Sequence, residues 1–240
     1  MKQFAIVLAM LGFTSFATAA DVHDAFDAVL RERVSADGLV DYAAIKQHDV
    51  ERLGQYRNAL EQADTSKLTR DQQLARYINL YNATVIHAVA DRMRDGYTVA
   101  ERDFAIFKEP LVHLGQRKYV SLDHLEHEII RKEFKDPRVH VALVCAARSC
   151  PPLMNRAYRA ADLEQTLDAN MKRFVTDATR NQIDDTKREL RVSKIFEWYA
   201  DDFGGKDAVP AYIARYAGKD VAGYRVSYLD YDWTPNAQGK

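Results

Sequence analysis

One stretch, RVHVALVCAARSCPPL at 138–153, holds both cysteines of the 240-residue chain and one of its seven histidines, His140. A nucleophilic cysteine needs a lowered pKa and a base within hydrogen-bond reach. Cys150 precedes Pro151-Pro152, and proline at a first helical position would place it at an N-cap. There the dipole and the free amides after it favour a thiolate and an oxyanion. In this reading Cys150 attacks an amide or thioester, His140 or His127 takes its proton, and Glu126 orients the imidazole. The same residues allow other chemistry. Cys145 and Cys150 in an oxidising compartment can close a small disulfide loop worth only about 2 kcal/mol, stapling a non-catalytic binding domain. Glu126 with His127 can be a salt bridge locking helix to sheet. A zinc site from His127, His140 and a cysteine lacks the paired CxxC or HxxxH spacing, and no metal is assigned.

These side chains need elements to position them. Read as a strand, 139–145 places Val139, Val141, Leu143 and Cys145 on one face and His140, Ala142 and Val144 on the other. Both faces are apolar, which predicts a central strand with His140 buried. Cys145 then faces away from His140, and the bend 146–149 returns Cys150 toward it. Ser121 caps a helix running to Phe134. Leu122, Leu125, Ile129, Ile130 and Phe134 mark its inward arc, with Glu126 inside that arc and His127 at its edge. A buried carboxylate must be paired, and His127, Arg131 or His140 would serve. A Thr69-x-x-Gln72 capping box opens the helix that carries Asn79 and Asn82. Asparagine is a poor mid-helix residue. The pair is expected to bind backbone across a helix–strand contact, or one of them completes an amide-bearing active site. Asn79, Asn82, Cys145 and Arg148, which lies in the bend, are the expected binding residues.

The remaining pattern predicts an α+β fold, a single helix-rich domain packed on a small, mostly antiparallel sheet. Helices are expected over 22–34, 49–63, 162–174 and 208–217, with a short one after Ser193 that Gly204-Gly205 ends. Asp162 with Gln165 caps the third of these. A hairpin over 183–192 turns at Asp184-Asp185, Tyr224 to Tyr228 alternates as a strand, and 64–70 and 93–118 read as loops. Residues 1–19 run from Lys2 through the apolar Phe4–Phe13 to Ala17-Thr18-Ala19, the pattern of a secretory signal peptide. Residues 20–240 would form the exported, periplasmic or secreted domain. Losing Lys2 takes the net charge from −1 to −2, with no basic excess to draw nucleic acid. No second apolar run of membrane length follows. The chain lacks a phosphate-binding glycine loop and a Gly-x-Ser-x-Gly elbow. No cofactor is implied, and the expected partner is a small-molecule or peptide substrate.

ARYINLYNATVIHAV at 75–89, YVSLDHLEHEIIR at 119–131 and DPRVHVALVCAARSCPPL at 136–153 resemble the signature blocks of the domain-of-unknown-function family 547. VSKIFEWYADDFG at 192–204 and YLDYDW at 228–233 are similar to its C-terminal part, so the likeness covers roughly 38 to 234. Asn79, Glu126, His127, His140 and Cys150 fall on the family's blocks. The resemblance implies a relation to papain-like and transglutaminase-like thiol folds, with a cysteine at a helix N-terminus and a histidine on a strand. Here the histidines precede the cysteine, which implies a permuted arrangement, or a binding module whose nucleophile position on the Asn79–Asn82 helix is empty.

Overall fold

Helical periodicity organises the first half of the chain. The computed structural model describes residues 21–115 and 118–239; the leader expected at 1–19 lies outside them. Helices α1 (Asp24–Arg33), α2 (Tyr42–His48) and α3 (Val50–Gln62) surround α4 (Arg70–Arg92). The capping box is formed: the Thr69 hydroxyl accepts from the Gln72 N–H at 3.3 Å, and the Thr69 N–H donates to Gln72 Oε1 at 2.9 Å. Ile78, Leu80, Val85 and Val89 are completely buried. A helix apolar on several sides belongs in the interior, and α4 is the spine of the larger core.

Helix α5 (Glu101–Lys108) follows, then strands β1 (Val112–Leu114) and β2 (Lys118–Val120). These strands pair antiparallel in the region read as loop. Ser121 accepts the His124 N–H at 3.1 Å and caps a short α6 (Leu122–His124), which widens into a π-helix over Leu125–Phe134. A single helical turn, α7 (Val139–Ala142), links the larger core to a second one. That second core gathers α8 (Leu163–Thr176), a sheet of β3 (Gln182–Asp184), β4 (Glu189–Val192) and β5 (Arg225–Tyr228), and helices α9 (Ile195–Trp198) and α10 (Val209–Ala217). The hairpin β3–β4 is antiparallel and β5 joins β4 in parallel. The architecture is α+β, with small sheets on a helical body. Asp162 precedes α8 without a side-chain cap, because its carboxylate pairs with Arg156 instead. No helix among the described residues is long and apolar enough to cross a membrane.

The segment 139–145 is not a strand. The Asp136 carboxylate accepts the Arg138 N–H at 2.9 Å and its carbonyl accepts the Val139 N–H at 3.1 Å. This turn starts a helix rather than an extended run. Helical geometry sends Val141 into one core and Val139 and Ala142 into the other, so apolar residues on every side look like a two-faced strand. The chain becomes extended only at Leu143. Nor does a helix begin after Cys150: Pro151 to Met154 have no regular structure. Neither proline has an N–H, so the amides expected to favour a Cys150 thiolate are missing until Leu153. Gly38 lies against this segment with φ +81°, and a Cβ there would stand 2.7 Å from the Leu153 nitrogen. Only glycine fits both the conformation and the space.

Candidate active site

α4, α5, the π-helix, the α7 turn, α9 and the C-terminal segment converge on a cavity of about 410 Å³. Its wall includes Cys145, Cys150, His140, His127, Glu126 and Asp123, with Tyr81, Phe104, Phe107, Trp198, Tyr199, Tyr231 and Trp233. Three of the expected site residues, Glu126, His127 and His140, thus share this wall with both thiols.

The cysteine bend is held by distant chain. Asn236 N–H donates to the Ala146 carbonyl at 2.9 Å, Arg148 N–H to Thr234 at 2.8 Å, and Ser149 N–H to Asp232 at 3.2 Å. Arg180 clamps the other side, donating to the carbonyls of Cys150 at 2.9 Å and Arg148 at 3.0 Å. Ala146 is left-handed at φ 62°, a costly conformation for a residue with a Cβ. That kink directly follows Cys145.

Cys145 and Cys150 are free thiols, not a disulfide. The staple expected in the binding-domain reading is not formed. The Cys145 N–H instead donates to Cys150 Sγ at 2.9 Å. Cys145 is half-buried on the cavity wall, and Cys150 is nearly inaccessible at 3% exposure. Their acidities diverge. The Cys150 thiol, followed by Tyr231 and the Ala147 N–H, holds the Cys145 thiol below its ordinary value against the opposing effect of burial. The Tyr231 hydroxyl is 3.3 Å from Cys145 Sγ. Burial first, and then its neighbour Cys145, push the Cys150 thiol well up. Of the two thiols it is Cys145, not Cys150, that has the lowered pKa and the more accessible place on the cavity wall.

His140 is buried, with Nε2 2.6 Å from Asp202 Oδ2. A carboxylate only accepts, so Nε2 carries a proton and Nδ1 is the ring nitrogen left for another group. That buried Nδ1 has no partner among the described residues. Tyr199 stacks on the ring, with centroids 3.8 Å apart and planes 19° from parallel. Arg131 Nε donates to the same Asp202 oxygen at 2.8 Å. The His140 hydrogen bond, and then Arg131, hold the Asp202 carboxyl far below the ordinary range.

Glu126 is buried as expected, but its partners are not a histidine or Arg131. Tyr81 and Tyr199 hydroxyls donate to its two oxygens at 2.9 and 3.0 Å. Burial raises the pKa of both phenols, and the Glu126 charge adds to this. His127 is instead 3.0 Å from Arg131 through Nδ1. The wide π turn brings Leu125, Glu126, Ile130 and Phe134 inward together, at spacings of five and four residues. No group of three or more His, Cys, Asp or Glu among the described residues is placed to hold a metal, which removes the zinc arrangement.

Asn79 and Asn82 lie behind the cavity and bind backbone. Asn79 exchanges two hydrogen bonds with Tyr158, donating to its carbonyl at 2.8 Å and accepting its N–H at 2.9 Å. Asn82 donates to the Ala142 carbonyl at 2.9 Å and accepts from the Val144 N–H at 3.0 Å. Arg148 sits in the bend, away from the cavity wall. Asp202, Tyr199 and Tyr231 were not singled out in the sequence, although each falls in the C-terminal blocks quoted above.

Comparison with known protein families matches residues 65–175 to the model of the family described as "Protein of unknown function, DUF547". The matched region contains α4, the π-helix, the cysteine bend and most of α8. No curated protein and no solved structure matches the chain.

Proposed function

We propose that this DUF547-bearing chain is a thiol-dependent hydrolase or transferase acting on amide or thioester bonds, with Cys145 as nucleophile. One observation carries the reading: a half-buried thiol and a histidine whose Nε2 is engaged by Asp202, leaving Nδ1 unpaired, share one cavity wall. The Cys145 proton passes to His140 Nδ1, and the thiolate attacks the acyl carbon. The breaking C–N or C–S bond releases a leaving group that takes the proton back from His140. Water or an amine, deprotonated by His140, then cleaves the thioester and restores the thiol. Asp202 fixes the tautomer and balances the imidazolium charge. Tyr231 and Cys150 stabilise the thiolate as hydrogen-bond donors. Export of the chain, with removal of 1–19, is part of the proposal and is supported by the Lys2, Phe4–Phe13 and Ala17-Thr18-Ala19 pattern.

The test is single-turnover acylation by a thioester or p-nitrophenyl ester, read by intact mass and peptide mapping. The expected product is one acyl group on Cys145, absent from Cys145→Ala and formed at least tenfold more slowly in His140→Gln. Acylation on Cys150, or none at all, overturns the assignment.

A further inference from the structure

We infer that the substrate of this cavity carries a cationic ammonium group, received by the aromatic wall beside the thiol; the assignment rests on the cavity being an active site. Three rings build that wall. Trp198 and Trp233 are stacked 5.7 Å apart, and Tyr231 lies 4.8 and 4.4 Å from them. Phe104 supports Trp233 edge-on at 4.7 Å. Trp198 is 47% exposed, an unusual placement for the largest apolar side chain unless something covers it. Aromatic faces are electron-rich and attract cations, most strongly those of tryptophan.

The charges in the cavity point the same way. Two carboxylates, Asp123 and Glu126, face it, and neither is in an ion pair among the described residues. Glu126 is held by two phenol hydroxyls rather than by a cation. Burial raises the Asp123 pKa, opposed by His127 and Lys108 and reinforced by Glu126, so an incoming cation would relieve it. The one ammonium on the wall, Lys108, is tied to Asp103 at 2.5 Å. His127 shares its Nδ1 with Arg131, and His140 is already paired with the Asp202 carboxylate. An aromatic surface beside two carboxylates that lack an ion-pair partner among the described residues selects an amine or quaternary ammonium over an anion or a neutral group.

The tryptophans also provide the readout. The chain contains only Trp198 and Trp233, so its tryptophan fluorescence reports on this wall alone. Cys145→Ala protein, which cannot be acylated, is titrated with benzyltrimethylammonium chloride, its neutral isostere neopentylbenzene, and benzoate, at constant ionic strength. The expected result is a saturable fluorescence change with the cation, at an affinity at least tenfold above the neutral compound and with no saturation by benzoate. Glu126→Gln and the partly exposed Asp123→Asn should each weaken cation binding threefold or more. The second variant keeps the test valid if the first does not fold. Equal affinity for cation and isostere, no saturable change, or two folded variants that bind like the parent overturns the inference. Because no acylation is involved, failure here leaves the thiol assignment to its own mass-spectrometric test.

Discussion

Tyr199 lies flat against His140 while its hydroxyl donates to Glu126 at 3.0 Å, so one side chain immobilises both an imidazole and a carboxylate. The two contacts can be separated by mutation. Tyr199→Phe keeps the stack and leaves Glu126 short of one donor, which should cost about 1–2 kcal/mol. Tyr199→Leu also removes the stacked ring and should cost about 1 kcal/mol more. Urea unfolding of the two variants checks the order, and equal losses would contradict the stacking contribution.

Thiol reactivity should follow pH as the site geometry dictates. Iodoacetamide should label Cys145 in the folded protein with an inflection below that of a free thiol, about 8.5. Cys150 should react only after unfolding. Because the Cys150 thiol is the largest cause of the Cys145 shift, Cys150→Ala should move the inflection upward. An unchanged profile would show that the donor is not made.

Asp202 links the site to acid stability. Its folded-state pKa is depressed below the unfolded value of about 3.9, so its stabilisation is present above that value. It is lost as pH falls through the ordinary value toward the lower folded one. Asp202→Asn should therefore be less stable than the parent at pH 7, with the gap narrowing at pH 3. Urea midpoints at the two pH values test this, and a constant gap would contradict the sign.

The entrance to α5 is strained. Arg102, Asp103 and Phe104 are left-handed in succession, at φ 51°, 56° and 58°, and Phe104 reaches the cavity wall. Each such residue costs roughly 1–2 kcal/mol, whereas glycine adds about 0.4–1 kcal/mol of unfolded-chain entropy. Arg102→Gly should thus gain about 0.5–1 kcal/mol, visible as a higher urea midpoint. A lower midpoint would mean the turn is not held in this conformation.

Local signals in the sequence were readable wherever the physics was local. The Thr69–Gln72 box, the Ser121 cap and the β3–β4 hairpin each depend on neighbours a few residues away. Asn79 and Asn82 also declared themselves, because an amide inside a buried helix must find backbone to bind. The 139–145 segment misled because periodicity cannot distinguish one buried helical turn from a two-faced strand. Strands β1 and β2, three residues each, are too short to show alternation. Which thiol meets the cavity was unreadable for a different reason. The bend takes its shape from Asp232, Thr234, Asn236 and Arg180, whose pairing with it exists only in three dimensions.

The strap from Asp232 to Gln238 bonds the cysteine bend through Ala146, Arg148 and Ser149, and it also closes on Val40, whose N–H donates to Asn236 and whose carbonyl accepts from Gln238, each at 2.9 Å. Synthesis must therefore run past Gln238 before the bend acquires its shape. A chain that ended before Asp232 would carry the sulfur without the hydrogen bonds that shape the bend around it.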